Sequence, residues 1–129
     1  MQQDDRYVLV VDDYGTMRRI MRNLLAEIGI TNVEEAEDGR SALKKLRERP
    51  FDLVISDWNM MPMSGLDLLR IVRADDDLKH LPFIMITAVN LVENVVAAKE
   101  VGVNGYIVKP FSSGTLKKRI DSVLGAASA

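Results

Sequence analysis

Five polar side chains stand directly behind apolar stretches that favour β-strands. They are Asp12 and Asp13 behind Tyr7–Val11, Asp57 behind Leu53–Ser56, Thr87 behind Phe83–Ile86, and Lys109 behind Tyr106–Val108. Adjacent carboxylates such as the first two repel each other, and partial burial adds a desolvation cost. Either something compensates these acids, or they lie in a solvated turn.

The three carboxylates and one ammonium would leave an excess of negative charge that a hard divalent cation could relieve. Mg²⁺ is the expected ion, because it takes oxygen ligands and the chain has no Cys and a single His. A metal, a lysine and a hydroxyl around a carboxylate suit phosphoryl transfer. Asp57 is the expected nucleophile, forming an aspartyl phosphate, because it stands alone on a predicted central strand. Asp12 and Asp13 would then hold the metal.

Apolar runs alternate with helical patterns along the chain. The first helix has apolar residues at helical spacing from Met17 to Ile28 and should end at Gly29. Four more helices are predicted: after Asp38-Gly39, after Gly65, over Leu91–Val101, and around Leu116–Leu124. The predicted strands are Tyr7–Val11, Val33–Ala36, Leu53–Ser56, Phe83–Ile86 and Tyr106–Val108. Two glutamates interrupt the second strand, which favours an edge position.

Five βα units in series predict an α/β fold: a flavodoxin-like, doubly wound, five-stranded parallel sheet with five helices. The strand order 2-1-3-4-5 fits the length and the weak second strand. Ligands of such sheets bind outside the carboxyl ends of the strands, near the switch in strand order. This fold would bring all five polar residues to one edge.

The composition fits one domain over residues 1–129. The chain is 47% hydrophobic and 28% charged, which suits one core and leaves little room for a second domain. The amino terminus lacks a secretory pattern, and no apolar run approaches the roughly 20 residues of a membrane span. We therefore expect a cytoplasmic protein that does not enter a membrane. The formal net charge of −2 disfavours nucleic-acid binding.

The sequence resembles the receiver domains of bacterial two-component response regulators. The segments that carry the resemblance are VVDDYGTMRRIMRNLL, AEDGRSAL, VISDWNM, MITA and GYIVKPF. Their spacing also matches, over essentially the whole chain, and the likeness is nearest to single-domain chemotaxis regulators. The resemblance implies a signalling switch rather than an enzyme. A histidine kinase would donate a phosphoryl group to Asp57, and a phosphatase is a further possible partner of the expected monomer.

The resemblance also implies a role for each residue at the site. Asp13, Asp57 and the backbone carbonyl of Asn59 would bind Mg²⁺, with Asp12 acting through water. Lys109 would contact the phosphoryl group.

Two further residues would carry the switch in the family that the chain resembles. Thr87 would move to hydrogen-bond the phosphoryl group, and Tyr106 would rotate inward into the space that Thr87 vacates. The surface of helix four, strand five and helix five would change as a result. The Lys109–Pro110 peptide bond would be cis.

The fourth helix, LVENVVAAKEV, holds more apolar residues than one core stripe needs. Either its core face is broad, or Val92 and Val95 are exposed and form a partner groove. The resemblance places the output face here, so we expect Val92, Val95, Tyr106 and Arg119 to face a protein partner. For a chemotaxis regulator that partner would be a flagellar motor switch protein.

Two positions depart from the family pattern. The pattern has Pro four residues after the phosphoacceptor, whereas this chain has Met61 there and Pro62 one residue later. Gly65 stays in register. The shift predicts a different turn after the third strand. Val89, two residues after Thr87, stands where a polar residue is common and where the dephosphorylation rate is tuned.

Other polar residues have structural explanations. We expect Asp38 to cap a helix, Asp75–Asp77 to form a solvated helix end, and His80 to lie at the surface. Arg18 and Arg22 are expected on a solvated face of the first helix, where they could also steer anionic donors.

Three other functions remain open. The chain could be a phosphate sink or other single-domain regulator that only drains phosphate from the kinase. A Mg²⁺-dependent phosphohydrolase of the haloacid dehalogenase type needs a second Asp two residues after its nucleophile, where this chain has Asn59. A flavin-binding flavodoxin needs hydroxyl- or glycine-rich donors after the first strand, where this chain has DDYGT.

Overall fold

Five strands and five helices alternate along the chain in the computed structural model, which describes residues 4–88 and 91–125 and their side chains except that of Asp4. The elements are β1 (Asp4–Val11), α1 (Gly15–Glu27), β2 (Ile30–Ala36), α2 (Gly39–Glu48), β3 (Leu53–Asp57), α3 (Gly65–Ala74), β4 (Phe83–Thr87), α4 (Val92–Val101), β5 (Gly105–Val108) and α5 (Ser113–Leu124). None of the described helices has the length and apolar character needed to span a bilayer.

The strands form one parallel sheet in the order β2-β1-β3-β4-β5, so the predicted flavodoxin-like fold is confirmed. The strand β2 lies at an edge, as its two glutamates indicated. Both β1 and β2 begin earlier than predicted, because Asp4 pairs with Ile30 ahead of an irregularity in the register. Apolar periodicity does not reveal such an extension, since it runs through polar residues.

The sheet separates two hydrophobic layers, because successive residues of a strand face opposite sides. Val8 and Val10 of β1 pack beneath α1 and α5, together with the buried Leu25 and Ile120. The other layer, with Leu9 and Val11, packs beneath α2 and α3. All residues of β3 and β4 are buried. The central strands are therefore fixed on both faces, and their carboxyl ends form a rigid platform.

Local signals set the ends of several helices. Gly29 follows α1 with φ of 91°, and Gly102 follows α4 with φ of 102°, a region that glycine enters without strain. Asp38 begins α2 in a reciprocal capping box with Ser41, as the sequence predicted for Asp38.

We expect Asp38→Ala to lower the free energy of unfolding by about 1 kcal/mol at neutral pH, because it removes the helix cap. The Ser41 N–H donates to Asp38 Oδ1 at 2.8 Å, and this hydrogen bond holds the pKa of Asp38 below its usual value. Since the pKa is lowered in the folded state, this stabilisation is present above the usual value of 3.8 and is lost as the pH falls through the folded-state pKa.

Urea unfolding at neutral pH and in acid measures the effect. Asp38→Asn keeps an acceptor at every pH and is the matched control, so it should unfold near the wild-type midpoint at neutral pH. If Asp38→Ala lowers the free energy of unfolding by the same amount in acid as at neutral pH, the negative charge of Asp38 does not contribute to the cap.

Arg73 on α3 ties together the amino-terminal edge of the sheet. Its Nε donates to the carbonyl of Gly102 at 2.9 Å, directly behind α4, and its Nη1 donates to the carbonyl of Leu81 at 2.7 Å. Its Nη2 donates to Asn104 Oδ1 at 2.8 Å, which also accepts the N–H of Phe83 at 2.9 Å. The carboxyl end of α4 is therefore bound to α3 and to the starts of β4 and β5.

Candidate functional site

The carboxyl ends of four adjacent strands, β1, β3, β4 and β5, bring polar residues together. Backbone bonds extend beyond the strands and hold these ends in register. The N–H of Asp12 donates to the carbonyl of Ala36 at 3.1 Å, and the N–H of Lys109 donates to the carbonyl of Thr87 at 2.8 Å. Asp57 is the last residue of β3. The side chains that the sequence predicted to converge thus stand at one edge of the sheet.

Three carboxylates form the acidic part of this edge. Asp12, Asp13 and Asp57 each offer an oxygen within 4.8 Å of the others. Asp12 and Asp57 are buried, with 6% and 8% of their surface exposed, whereas Asp13 is open to solvent. Two buried acids and one exposed acid suit a hard cation that keeps some of its water.

Burial raises the pKa of Asp12, and the negative charges of Asp57 and Asp13 raise it further. The N–H of Tyr14, which donates to Asp12 Oδ1 at 2.9 Å, and the charge of Lys109 act in the opposite direction without cancelling the effect. The positive charge of Lys109 alone is thus insufficient for this cluster.

Lys109 is the cation that the sequence predicted beside these acids. Its Nζ lies 2.9 Å from Asp57 Oδ1 and 3.9 Å from Asp12 Oδ2. The ammonium is therefore positioned to contact a group attached to Asp57.

Thr87 and Tyr106 connect the acidic cluster to the surface beside β5. Thr87 is buried, and its hydroxyl group is hydrogen-bonded to that of Tyr106. Burial raises the pKa of Tyr106, although the bond to Thr87 lowers it in part. The Trp58 ring meets the Tyr106 ring edge to face, with centroids 6.3 Å apart. A change at Thr87 can therefore reach Tyr106 by direct contact.

Residues 8–121 match the response regulator receiver domain. The chain belongs to this family. It is a phosphorylation-activated response regulator of the chemotaxis type, in agreement with its relatives.

Two curated relatives are chemotaxis proteins of similar length. Chemotaxis protein CheY-3 of Vibrio cholerae serotype O1 is 53% identical over 116 residues, covering 90% of this chain and 89% of that protein. Chemotaxis protein CheY of Pseudomonas aeruginosa is 51% identical, covering 90% of this chain and 94% of that protein.

Solved structures share the receiver fold. Chemotaxis protein CheY4 of Vibrio cholerae superposes with a TM-score of 0.86 at 39% identity, covering 92% of this chain and 98% of that one. The receiver domain of a sensor histidine kinase from Pseudomonas aeruginosa superposes with a TM-score of 0.84 at 23% identity, covering 94% of this chain and 98% of that one. Its structure has a magnesium ion coordinated in the active-site cleft.

The receiver loop between β3 and α3 is anchored by methionines. Met60 is buried with 4% of its surface exposed, whereas Met61 is 78% exposed. Met63 packs against Gly39 at the start of α2, where a Cβ would meet its sulfur. The Met61–Pro62 bond is cis, and Lys109–Pro110 is also cis, as the resemblance implied. The loop is thus held at Met60 and Met63 while Met61 projects into solvent.

Gly65 holds this loop close to the receiver site. Its N–H donates to the carbonyl of Trp58 at 2.8 Å. A Cβ here would collide with the carbonyl oxygen of Asp57 and the sulfur of Met85, so only glycine fits without displacement. Asn59, in the same loop, is exposed, and its carbonyl as a metal ligand stays a prediction. Val89 lies outside the described residues.

The predicted output face of this receiver is exposed in part. Val92 is 75% exposed and Arg119 is exposed, whereas Val95 is half-buried, so the two valines do not share the exposure that one of the two alternatives required. Val95 lies three residues before Ala98, which is fully buried, and residues three apart share a helix face. Val96, one turn after Val92, is 47% exposed and was missed by the sequence prediction.

Among the other polar residues, one predicted structural role is confirmed and others differ from the prediction. His80 is exposed, as expected. Asp75 is not simply solvated, because Arg47 Nη2 lies 2.7 Å from its Oδ2. Arg18 and Arg22 also differ from the expected solvated face, since both pair with Glu35 at 3.0 Å.

Proposed function

We propose that Asp57 is the residue that receives the phosphoryl group of a histidine kinase. The observation that carries this proposal is the 2.9 Å contact between Lys109 Nζ and Asp57 Oδ1 inside a cluster of carboxylates. An Asp57 oxygen would attack the phosphorus of a phosphohistidine, so that the new O–P bond forms as the N–P bond breaks. Lys109 would contact the transferred phosphoryl oxygens.

We also propose that Mg²⁺ binds at this cluster. Asp13, Asp57 and the carbonyl of Asn59 would be its ligands, and Asp12 would act through water. The support is the chemistry of the donor set, because three carboxylates within 4.8 Å of one another match the oxygen ligands that Mg²⁺ prefers. When bound, the ion would neutralise charge on the phosphoryl oxygens during transfer.

The switch would run from the phosphoryl group to the output face. Thr87 would turn toward the phosphoryl group, and Tyr106, already hydrogen-bonded to Thr87, would follow it inward. This movement would alter the face of α4, β5 and α5 that we assign to Val92, Val95, Tyr106 and Arg119. Phosphorylation biases two states through different contacts in each.

The proposed output is a protein partner, a flagellar motor switch protein in the control of motor rotation. The exposed valines and Arg119 favour an apolar partner surface with acidic residues beside it. A phosphate sink is the second candidate, since it needs only the acceptor site. We further propose that residues 1–129 form one domain and that the protein is a cytoplasmic monomer. A phosphatase is a possible further partner. The protein would be a switch that turns over no separate substrate.

Intact mass after incubation with acetyl phosphate, with Mg²⁺ or with a chelator, tests the proposal. Wild type should gain one phosphoryl group only with Mg²⁺. Asp57→Asn, which keeps the shape of the side chain, should gain none, because an amide is not a nucleophile of this kind. Circular dichroism controls for folding. An equal adduct on Asp57→Asn would place the acceptor elsewhere, and an adduct that is unaffected by the chelator would contradict the metal site.

A further inference from the structure

Arg18 connects the loop between β1 and α1, residues 12–14, to the edge strand β2, and we call this loop the acidic loop. Its Nη1 donates to the backbone carbonyl of Asp12 at 2.7 Å, and its Nε donates to Glu35 Oε1 at 3.0 Å. The two contacts use two different nitrogens of one planar guanidinium, so they fix its orientation. A residue of α1 thus holds the backbone of the acidic loop against the side chain of β2.

Within residues 4–88 and 91–125, few other hydrogen bonds fix this loop. Tyr14 begins α1 without a side-chain cap bond. The N–H of Asp12 bonds the carbonyl of Ala36, also in β2, and the N–H of Tyr14 bonds the Asp12 carboxylate itself. The Arg18 guanidinium is therefore the side chain that holds the carbonyl of Asp12, immediately before Asp13. Only 20% of its side chain is exposed, so it is well sheltered from competing water.

Glu35 is held as a charged acceptor for this contact. Burial alone would raise the pKa of Glu35, but hydrogen bonds and charges of Arg22 and Arg18 outweigh it and hold the pKa below its usual value. Glu35 stays ionised across the neutral range, and the guanidinium keeps its anchor.

We propose that Arg18 is a positioning residue that sets the spacing of the Asp12 and Asp13 carboxylates for Mg²⁺. This inference rests on the proposed metal site. Arg18 would touch neither the metal nor the phosphoryl group, and it would act through the backbone of Asp12. Residues that orient metal ligands commonly change metal affinity by 10- to 100-fold. Because Arg18 acts through a backbone carbonyl, we expect about 10-fold, the lower end of that range.

Arg22 provides a matched control. It bonds the other oxygen of Glu35 at 3.0 Å from one turn further along α1, and no hydrogen bond among the described residues joins it to Asp12. Arg18→Met and Arg22→Met each remove one positive charge and one ion pair with Glu35. Loss of a positive charge near an acidic site by itself favours binding of a cation. A weakened affinity in Arg18→Met is therefore opposite in sign to the effect of charge.

The experiment is a titration with Mg²⁺, followed by the fluorescence of Trp58, the one tryptophan of the chain, and by calorimetry. Amide hydrogen exchange at residues 12–15 without metal is the second readout. Arg18→Met should bind Mg²⁺ about 10-fold more weakly and exchange faster at these amides, while Arg22→Met stays within about 2-fold of wild type. Arg18→Lys, with one nitrogen in place of the guanidinium fork, should resemble Arg18→Met and serves if that variant does not fold.

Equal affinity in Arg18→Met and wild type would overturn the inference, and so would an equal loss in Arg18→Met and Arg22→Met. Failure of wild type to bind Mg²⁺ in the calorimeter would instead refute the proposed metal site. In that case hydrogen exchange still decides the positioning of the loop. If amide hydrogen exchange at residues 12–15 is the same in the Arg18 variants as in wild type, the positioning role of Arg18 is refuted as well.

Discussion

Replacement of Lys109 by alanine is expected to uncouple phosphorylation of Asp57 from the face formed by α4, β5 and α5. The ammonium lies 2.9 Å from Asp57 Oδ1, and the N–H of the same residue donates to the carbonyl of Thr87. One residue therefore joins the acceptor to the neighbouring strand end. Without the ammonium, the negative charge of a phosphoryl group has no cation at β5 to contact, so the active state loses its stabilising interaction.

Amide hydrogen exchange of the peptides that carry α4 and β5 measures this coupling. The phosphorylated fraction is read by intact mass in the same samples, with acetyl phosphate kept in excess. Exchange should change on phosphorylation in wild type and stay unchanged in Lys109→Ala. Lys44→Ala removes an exposed ammonium from α2 and should respond like wild type. A full response in Lys109→Ala would mean that the signal travels through Thr87 and Tyr106 without the lysine.

Replacement of Asp13 by asparagine should stabilise the metal-free protein and remove its response to Mg²⁺. The charge of Asp13 contributes to the raised pKa of Asp12, so the neutral amide relieves repulsion in the cluster. The gain should be at most about 1 kcal/mol, since Asp13 is exposed. At about 100 times its dissociation constant, Mg²⁺ should stabilise wild type by about 2.7 kcal/mol. The variant should gain almost nothing at that concentration.

Urea unfolding with and without Mg²⁺ gives both quantities in one series. Asp76→Asn is the matched control, because it makes the same chemical change at a side chain that is 97% exposed. It should show the wild-type response to the metal. An undiminished Mg²⁺ effect in Asp13→Asn would exclude Asp13 as a ligand. We expect Asp13→Asn to raise the free energy of unfolding without Mg²⁺ and to lower it, relative to wild type, with Mg²⁺. This reversal would mean that the empty site destabilises the protein.

The strand-end residues could be predicted because their convergence follows from a repeating local pattern. Each predicted strand is followed directly by one or two polar residues, and a parallel sheet gathers these ends whatever the details of packing. The order of the strands places Asp57 and Lys109 at the same edge with β4 between them, and the long lysine side chain spans that strand. Conversely, the exposure of Val95 could not be read from α4, because apolar residues surround that helix and its periodicity marks no single buried face.

The pattern within one stretch of sequence could not predict which charged residues pair between different helices and strands. Glu34 and Glu35 interrupt β2 in the sequence, and they face opposite sides of the sheet. Glu34 Oε1 lies 3.3 Å from Lys45 Nζ of α2, and Glu35 pairs with Arg18 and Arg22 of α1. The spacing of Arg18 and Arg22, one helical turn apart, could have indicated their pairing with Glu35, an acid that the pattern of its strand does not explain.

The contacts of Arg73 fix one end of α4, its carboxyl end, to the neighbouring elements. Arg73 binds the carbonyl of Gly102 directly behind the helix, whereas the exposed Leu91 and Val92 stand at the opposite end. A helix of 10 residues is about 15 Å long, so a tilt of about 10° around the fixed end would carry the free end through about 2.6 Å. Thr87 ends β4 and precedes this free end, so a rearrangement near Thr87 would move the exposed apolar residues while the carboxyl end of the helix stays in place.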